Sequence, residues 1–506
     1  MESLQEAYPR QLAFSPPERA PMNTRRTVSV KPSTGTKVTG ASSQDIIQFR
    51  LPNTGVLASC YLKGKIKHSG VIAGSNATNS FQANTAVSDP FAPSSAWIRR
   101  MIVKSSDGTE MTNLNNYHRY CSIKARLQND EGYSENQGSI LEGTPSDNGS
   151  VYQQAFNAAI IDQTPTADIA VGALPVSRVP NADYNHKRLK GGLAATGGQD
   201  FVHEFQSGVL AADKNKDYFL PLALLGSGMN LELTCADVGE VFRVSNSESA
   251  ATAYSFPSLG QHTAVGASIA SYDLLDLELC CDLLFLEPAL MSSLASEMCS
   301  GLKIVCDNVR QQQNAVTQQS NTIILNQHAR SVKAVVCGVK NTGDANNVRR
   351  DESEYYKTPA AGGSSVSKFQ FSIGAEMTPA NPVEYGAQSY KELEKAFKAI
   401  VGDEFKIGNQ VRNEDYTKVH QTDTPTAGAG GAGVRPGSAL FGINLQQMKE
   451  MPSVISGKSA SAGSISMSVD LEFSGSTNLS NAVLETFIVS DQVIELLADG
   501  GILVSK

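Results

Sequence analysis

Three glycines, Gly428, Gly430 and Gly433, stand as G-x-G-x-x-G. In a phosphate site that pattern needs a strand before it and a helix N-terminus after it. Here Pro425 precedes, Arg435-Pro436 follows and the surroundings read TPTAGAGGAG, so a flexible loop is the expectation. Seven histidines (His68, His118, His186, His203, His262, His328 and His420) stand singly, without metal-ligand spacing. Asp276, Glu278 and Asp282 form an acidic cluster; two carboxylates on one strand face suit a solvated face better than a paired acid and base. The basic patch NHKRLK (Asn185 to Lys190) has no interleaved aromatics on which bases could stack. The chain has no nucleophile elbow, no H-E-x-x-H and no P-loop. We therefore expect no catalytic, cofactor-binding or metal-ligating residues, no cofactor and no enzymatic activity.

Bulk composition points the same way. The 506 residues carry a formal net charge of −8, with 41% hydrophobic and 18% charged residues, which argues against nucleic-acid binding by the chain as a whole. The eight cysteines include no C-x-x-C pair and several lie among apolar residues, as in LELCCDLLFL, so reduced buried thiols are expected. The N-terminus has no apolar signal core, and no run is long enough to cross a bilayer as a helix. The reading is an intracellular product of a reducing compartment.

The elements follow from periodicity. In Ser367–Val401, Phe369, Phe371 and Ile373 alternate with polar residues as in a half-buried strand. TPANP then reads as a stiff turn. A helix follows, opened by a Ser389/Glu392 capping box, with Leu393, Phe397, Ile400 and Val401 on one face. Ser95–Leu127 repeats the order: strand, Asp107-Gly108 turn, helix. Alternating stretches lie on either side of each unit: DIIQFRLP, LASCYLKGKIKH, FVHEF, YFLPLALLG, MNLELTCADV and DLLDLELCCDLLFLEP in the first half, GLKIVCDNV, NTIILNQ, SVKAVVCGVKN, SALFGINLQQM and GSISMSVDLEFSG in the second. Leu275, Leu277, Leu279 and Cys281 are read as inward. Long polar spans, about 129–200 and 413–436, read as surface insertions. One buried and one wet face per strand implies antiparallel sandwiches. The expected fold is all-β, two tandem eight-stranded jelly rolls with short helices and long loops, divided into an N-terminal arm (1–44), a first roll (45–290) and a second roll (291–506). The arm is proline-rich with a cationic excess (Arg10, Arg19, Arg25, Arg26, Lys31 and Lys37 against Glu2, Glu6 and Glu18). It is expected to stay outside the fold and to order on a partner.

Taken together, YFLPLALLG with MNLELTCADV, DLLDLELCCDLLFLEPAL, FSIGAEMTPANPVEYGAQSYKELEKAF and the C-terminal FGINLQQM through SGSTNLS are similar, in order and spacing, to the double-jelly-roll major capsid proteins of icosahedral DNA viruses, the virophage and polinton-like type above all. The resemblance spans about residues 45–506. It implies a structural protein of the virion, assembled inside the host cell as a homotrimer of pseudo-hexagonal outline that tiles an icosahedral shell. The implied partners are neighbouring capsomers, minor capsid and penton proteins, and an internal membrane or genome met through the arm. The alternatives are a minor viral structural protein, such as a vertex or fibre component, and a carbohydrate-binding or carbohydrate-cleaving jelly roll. The last would need clustered aromatics, and the chain has one tryptophan, Trp97.

Overall fold

The computed structural model describes residues 22–39, 45–69, 85–87, 89, 91–143, 199–211, 219–226, 228–244, 271–299, 301–326, 328–344, 353–360, 362–401, 410–420, 437–446, 456–460, 467–475, 478–497 and 500–505. The strands are β1 (Met22–Val30), β2 (Lys37–Thr39), β3 (Ile46–Arg50), β4 (Val56–Ser69), β5 (Thr85–Val87), β6 (Ile98–Ser105), β7 (Glu110–Asn115), β8 (Gln199–Glu204), β9 (Met229–Cys235), β10 (Phe242–Val244) and β11 (Ser271–Leu286) in the first half. The second half has β12 (Leu302–Ala315), β13 (Ser320–Leu325), β14 (Val332–Asn341), β15 (Ser365–Ile373), β16 (Glu376–Glu384), β17 (Leu440–Asn444), β18 (Met467–Ser474), β19 (Ala482–Leu496) and β20 (Ile502–Ser505). The helices used below are α1 (Tyr117–Gln128), α2 (Glu131–Glu135), α3 (Gln137–Leu141), α4 (Pro288–Cys299) and α5 (Ala387–Val401).

Each half is a sandwich of two antiparallel sheets. The first pairs β1-β11-β4-β8 in one sheet and β3-β9-β6-β7 in the other. The second pairs β12-β19-β14-β17 and β13-β18-β15-β16. Strands β2 and β20 extend the edges of β11 and β19, and β5 and β10 form a small separate ribbon. Count the eight principal strands of each half in chain order, leaving out these four. Both halves then read first-eighth-third-sixth in one sheet and second-seventh-fourth-fifth in the other. That shared order is the jelly-roll winding, and it occurs twice in one chain. In both halves a helix follows the fifth strand: α1 after β7 and α5 after β16.

The count closes only if β1 is the first strand of the first roll. The expectation of an unpaired arm over residues 1–44 is thereby corrected over its second half. Met22–Val30 pairs antiparallel with β11 from Met22 opposite Leu286 to Val30 opposite Leu279. Lys37–Thr39 resumes the same ladder opposite Asp273–Ser271. An edge strand needs only one bonded side, so its alternation is weak. Among its described side chains only Val28 and Val30 turn to the core, half-buried. The prolines do not interfere: Pro9, Pro16, Pro17 and Pro21 precede the strand, and Pro32 falls in the break between β1 and β2.

Three further expectations are corrected. TPANP is not a turn but the middle of β16, at the edge of its sheet, where a residue without a backbone N–H leaves no ladder bond unmade. In YFLPLALLG, Leu222–Leu224 form a 3₁₀ turn rather than a strand. In β11 the inward set is Tyr272 and Leu274, then Leu277, Leu279, Cys281 and Leu283, and Leu275 is only half-buried. The parity changes at a bulge where Asp276 adopts φ of 50° and the register with β4 shifts. By contrast Met467, Val469, Leu471 and Phe473 are buried, as their alternation predicts.

Candidate functional site at the junction of the two rolls

The acidic cluster of β11 does not gather into a reaction centre. Asp282 accepts from Arg25 (2.9 Å), Thr27 (2.5 Å) and Ser59 (3.2 Å), and Glu278 pairs with Lys63 at 2.9 Å. The Lys63 hydrogen bond holds the Glu278 carboxyl below its usual range. The cationic segment and the acidic strand, singled out separately in the sequence, are thus each other's partners across β1 and β11. The G-x-G-x-x-G segment, NHKRLK and residues 144–198 of the long insertion lie outside the described residues. Trp97 is fully buried and stacks at a tilt on Phe201, so it offers no sugar platform. Among the described residues no group of three or more His, Cys, Asp or Glu is placed to hold a metal ion. No helix among them is long and apolar enough to cross a membrane. Cys60, Cys121, Cys235, Cys280, Cys281, Cys306 and Cys337 are buried thiols without disulfide partners.

One histidine has a suggestive neighbour. Ser94 Oγ lies 3.1 Å from His203 Nδ1, and Tyr117 Oη lies 2.9 Å from His203 Nε2. All three side chains are buried, and desolvation pushes the imidazole down to about 3. A neutral, enclosed ring with a tyrosine hydroxyl in place of an orienting carboxylate does not make a nucleophile–base dyad. It anchors the start of α1 to β8.

The densest polar chemistry lies where the rolls meet. From Tyr117 to Leu127 every residue of α1 is buried, which a helix attains only when it is enclosed on all sides. Its sequence, YHRYCSIKARLQ, is not apolar, so its polar groups need partners inside. Arg119 Nη1 donates to Glu485 Oε1 on β19 at 3.0 Å. Glu485 is fully buried and also accepts from Tyr355 Oη (2.8 Å), Gln311 Nε2 (2.9 Å) and Gln313 Nε2 (2.8 Å), with Lys340 Nζ 4.0 Å away. Burial works to raise its carboxyl; Arg119, Lys340 and these hydrogen bonds more than offset that and hold it at about 2.

Two helical turns further on, Arg126 is also fully buried. Its Nη2 donates to Ser353 O and Ser353 Oγ, each 2.7 Å, and to Ser122 Oγ at 3.1 Å. Its Nη1 donates to Gly437 O (2.9 Å) and Ser438 Oγ (3.2 Å). The guanidinium stacks over Phe91 at 4.4 Å. Four more bonds cross the seam: Ser122 Oγ to Ser353 Oγ (3.0 Å), Gln492 Nε2 to Met111 O (2.5 Å), Gln410 N to Arg126 O (3.0 Å) and Gln410 Nε2 to Ser134 Oγ (2.6 Å). One apolar cluster runs through both halves, from Tyr120 of α1 onto Phe487 and Val489 of β19 and Leu393 and Phe397 of α5. A second fills the sandwich of the second roll. The junction ties the two rolls together. Its apolar residues Leu393 and Phe397 were singled out from the sequence, but Arg119, Arg126 and Glu485 were not; the available signal was charge inside otherwise apolar runs, Glu485 in ETFIVSD and Arg126 in SIKARL.

No family model matches the sequence, and no curated protein does. The fold, however, has solved counterparts over its full length. The chain is similar to the PBCV-1 virus capsid, with a TM-score of 0.52 at 10% identity, covering 97% of this chain and 99% of that one. It is equally similar to a chain of the Sputnik virophage structure, with a TM-score of 0.52 at 9% identity over 99% and 92% of the two chains. The all-β, double-jelly-roll fold is therefore that of viral capsid proteins.

Proposed function

We propose that this chain is the major capsid protein of an icosahedral virus, a structural subunit of the virion that turns over no substrate and holds no cofactor or metal. The observation that carries this is the coextensive match: the two-roll chain aligns with a viral capsid chain over 97% of its own length and 99% of the other's. The polar seam supports the same reading. A shell subunit must transmit load between rolls without hinging, and Arg119, Arg126 and Glu485 tie the rolls through buried, charge-assisted bonds that solvent cannot replace. Three such two-roll blocks round an axis give a homotrimer of pseudo-hexagonal outline, whose neighbours in the shell are further capsomers and minor capsid and penton proteins. The division into rolls is drawn at α4, and the first roll begins at β1. Contact with an internal membrane or a genome would fall to residues 1–21, ahead of β1. Light scattering of the purified full-length protein tests the assembly unit. The mass of three chains is expected, and a monomer at every concentration and salt would count against it.

A further inference from the structure

At one end of the second roll, three strands of a sheet bring together groups that neither the fold nor the junction requires. Lys333 on β14 is 1% exposed. Its Nζ lies 2.6 Å from Oδ1 of Asp307 on β12 and 3.4 Å from Oδ1 of Asp491 on β19. Strand β19 runs between the other two, and Asp307 and Asp491 face each other in register. Asp491 is also buried and is held in place: its Oδ2 accepts from Ser331 Oγ at 2.5 Å, and that oxygen accepts from Gly457 N–H at 2.8 Å. An amine is thus in contact with one carboxyl group, with a second carboxyl, rigidly aimed, beside the same nitrogen.

Burial keeps the Asp491 carboxyl above its ordinary range, which favours its protonated form. With the proton passed from Lys333 to Asp307 across that contact, a neutral amine lies beside a neutral carboxylic acid, the amine buried and the carboxyl 23% exposed. We propose that Lys333 and Asp307 condense to an intramolecular amide (isopeptide) bond, with Asp491 as the catalytic residue that relays the proton. Nζ attacks Cγ of Asp307, and the N–C bond forms. Asp491 gives its proton to the departing hydroxyl oxygen and takes one from the nitrogen. The C–O bond breaks, one water leaves and Asp491 ends as it began. The step consumes only the two side chains. Its product ties the first strand of the second roll to the third across the eighth, so that β12 cannot peel from the sheet.

Intact-mass measurement of the folded full-length protein, followed by peptide mapping, tests this. The expected result is a mass lower than that of the sequence by one water, and a branched peptide joining Lys333 to Asp307. Lys333→Arg and Asp307→Ala should each restore the full mass, and Asp491→Asn should leave most of the protein unlinked. Because the variants disturb a buried charge set, the wild-type map decides by itself. Full mass with unlinked Lys333 and Asp307 peptides from folded protein would mean that the three groups form an ion-pair network only, and would overturn the proposal.

Discussion

Glu485 shows what a single side chain does at the seam. It is the buried anion on which Arg119, Tyr355, Gln311 and Gln313 converge. Glu485→Gln keeps the shape and removes the charge, leaving Arg119 buried without its carboxylate. A loss of about 3–5 kcal/mol is expected for breaking one side of such a pair. It should be read as a lower urea midpoint for the transition that separates the rolls. The pH dependence has a definite sign. The folded carboxyl, at about 2, lies below the ordinary value of 4.5. Its stabilisation is therefore complete above about pH 4.5 and is lost as pH falls toward 2. The wild type should lose stability through that window more steeply than Glu485→Gln; parallel acid titrations of the two proteins would contradict the role. None of this was legible in the sequence. Glu485 lies 366 residues from Arg119 along the chain, and a charge in a strand of apolar residues does not say which distant helix neutralises it. The aliphatic core positions of β18 were legible, because alternation is a local property that burial on one face imposes.

At the scale of elements, the first strand gives the sharpest test. Deleting residues 1–21 removes no described strand and should leave the protein folded. Deleting residues 1–39 removes β1 and β2, strips the Arg25 and Thr27 partners from Asp282 and exposes the edge of β11 along its length. That protein should aggregate or fail to fold, since an unpaired, partly apolar strand edge is an open template. If the longer deletion gives soluble chains with native circular dichroism, β1 is dispensable. A second test concerns the α2–α3 pair. Tyr133 Oη donates to Glu142 Oε1 at 2.7 Å and Ser94 Oγ lies 3.5 Å from Oε2. Burial, with Glu204 and Asp89 close by, pushes the Glu142 carboxyl up to about 7. A raised value means stabilisation present below about 4.5 and lost as pH rises through 7. Amide exchange over residues 131–142, corrected for intrinsic rate, should be slower at pH 5.5 than at pH 8, and Glu142→Gln should abolish the difference. Strands bounded by clear alternation were legible, as were both helices after the fifth strands. The first strand and β16 were hidden for one physical reason: an edge strand tolerates what a central strand cannot, adjacent arginines in β1 and prolines in β16.

On the scale of the whole molecule, a duplicated roll has its two copies locked into one block, and in the proposed function that block repeats in a shell. The shared strand order is the internal mark of that duplication. Two-roll organisation could be inferred from the sequence, since each half repeats strand, hairpin and helix in the same sequence of parts. The locking could not, because α1 is polar in composition and becomes enclosed only when the second roll covers it. Electron microscopy of the full-length protein, purified and then concentrated under assembly conditions, tests the central claim most directly. Three-fold particles of pseudo-hexagonal outline that join edge to edge into curved shells are expected. Discrete single-chain particles that never associate, at any concentration at which the protein stays soluble, would contradict it.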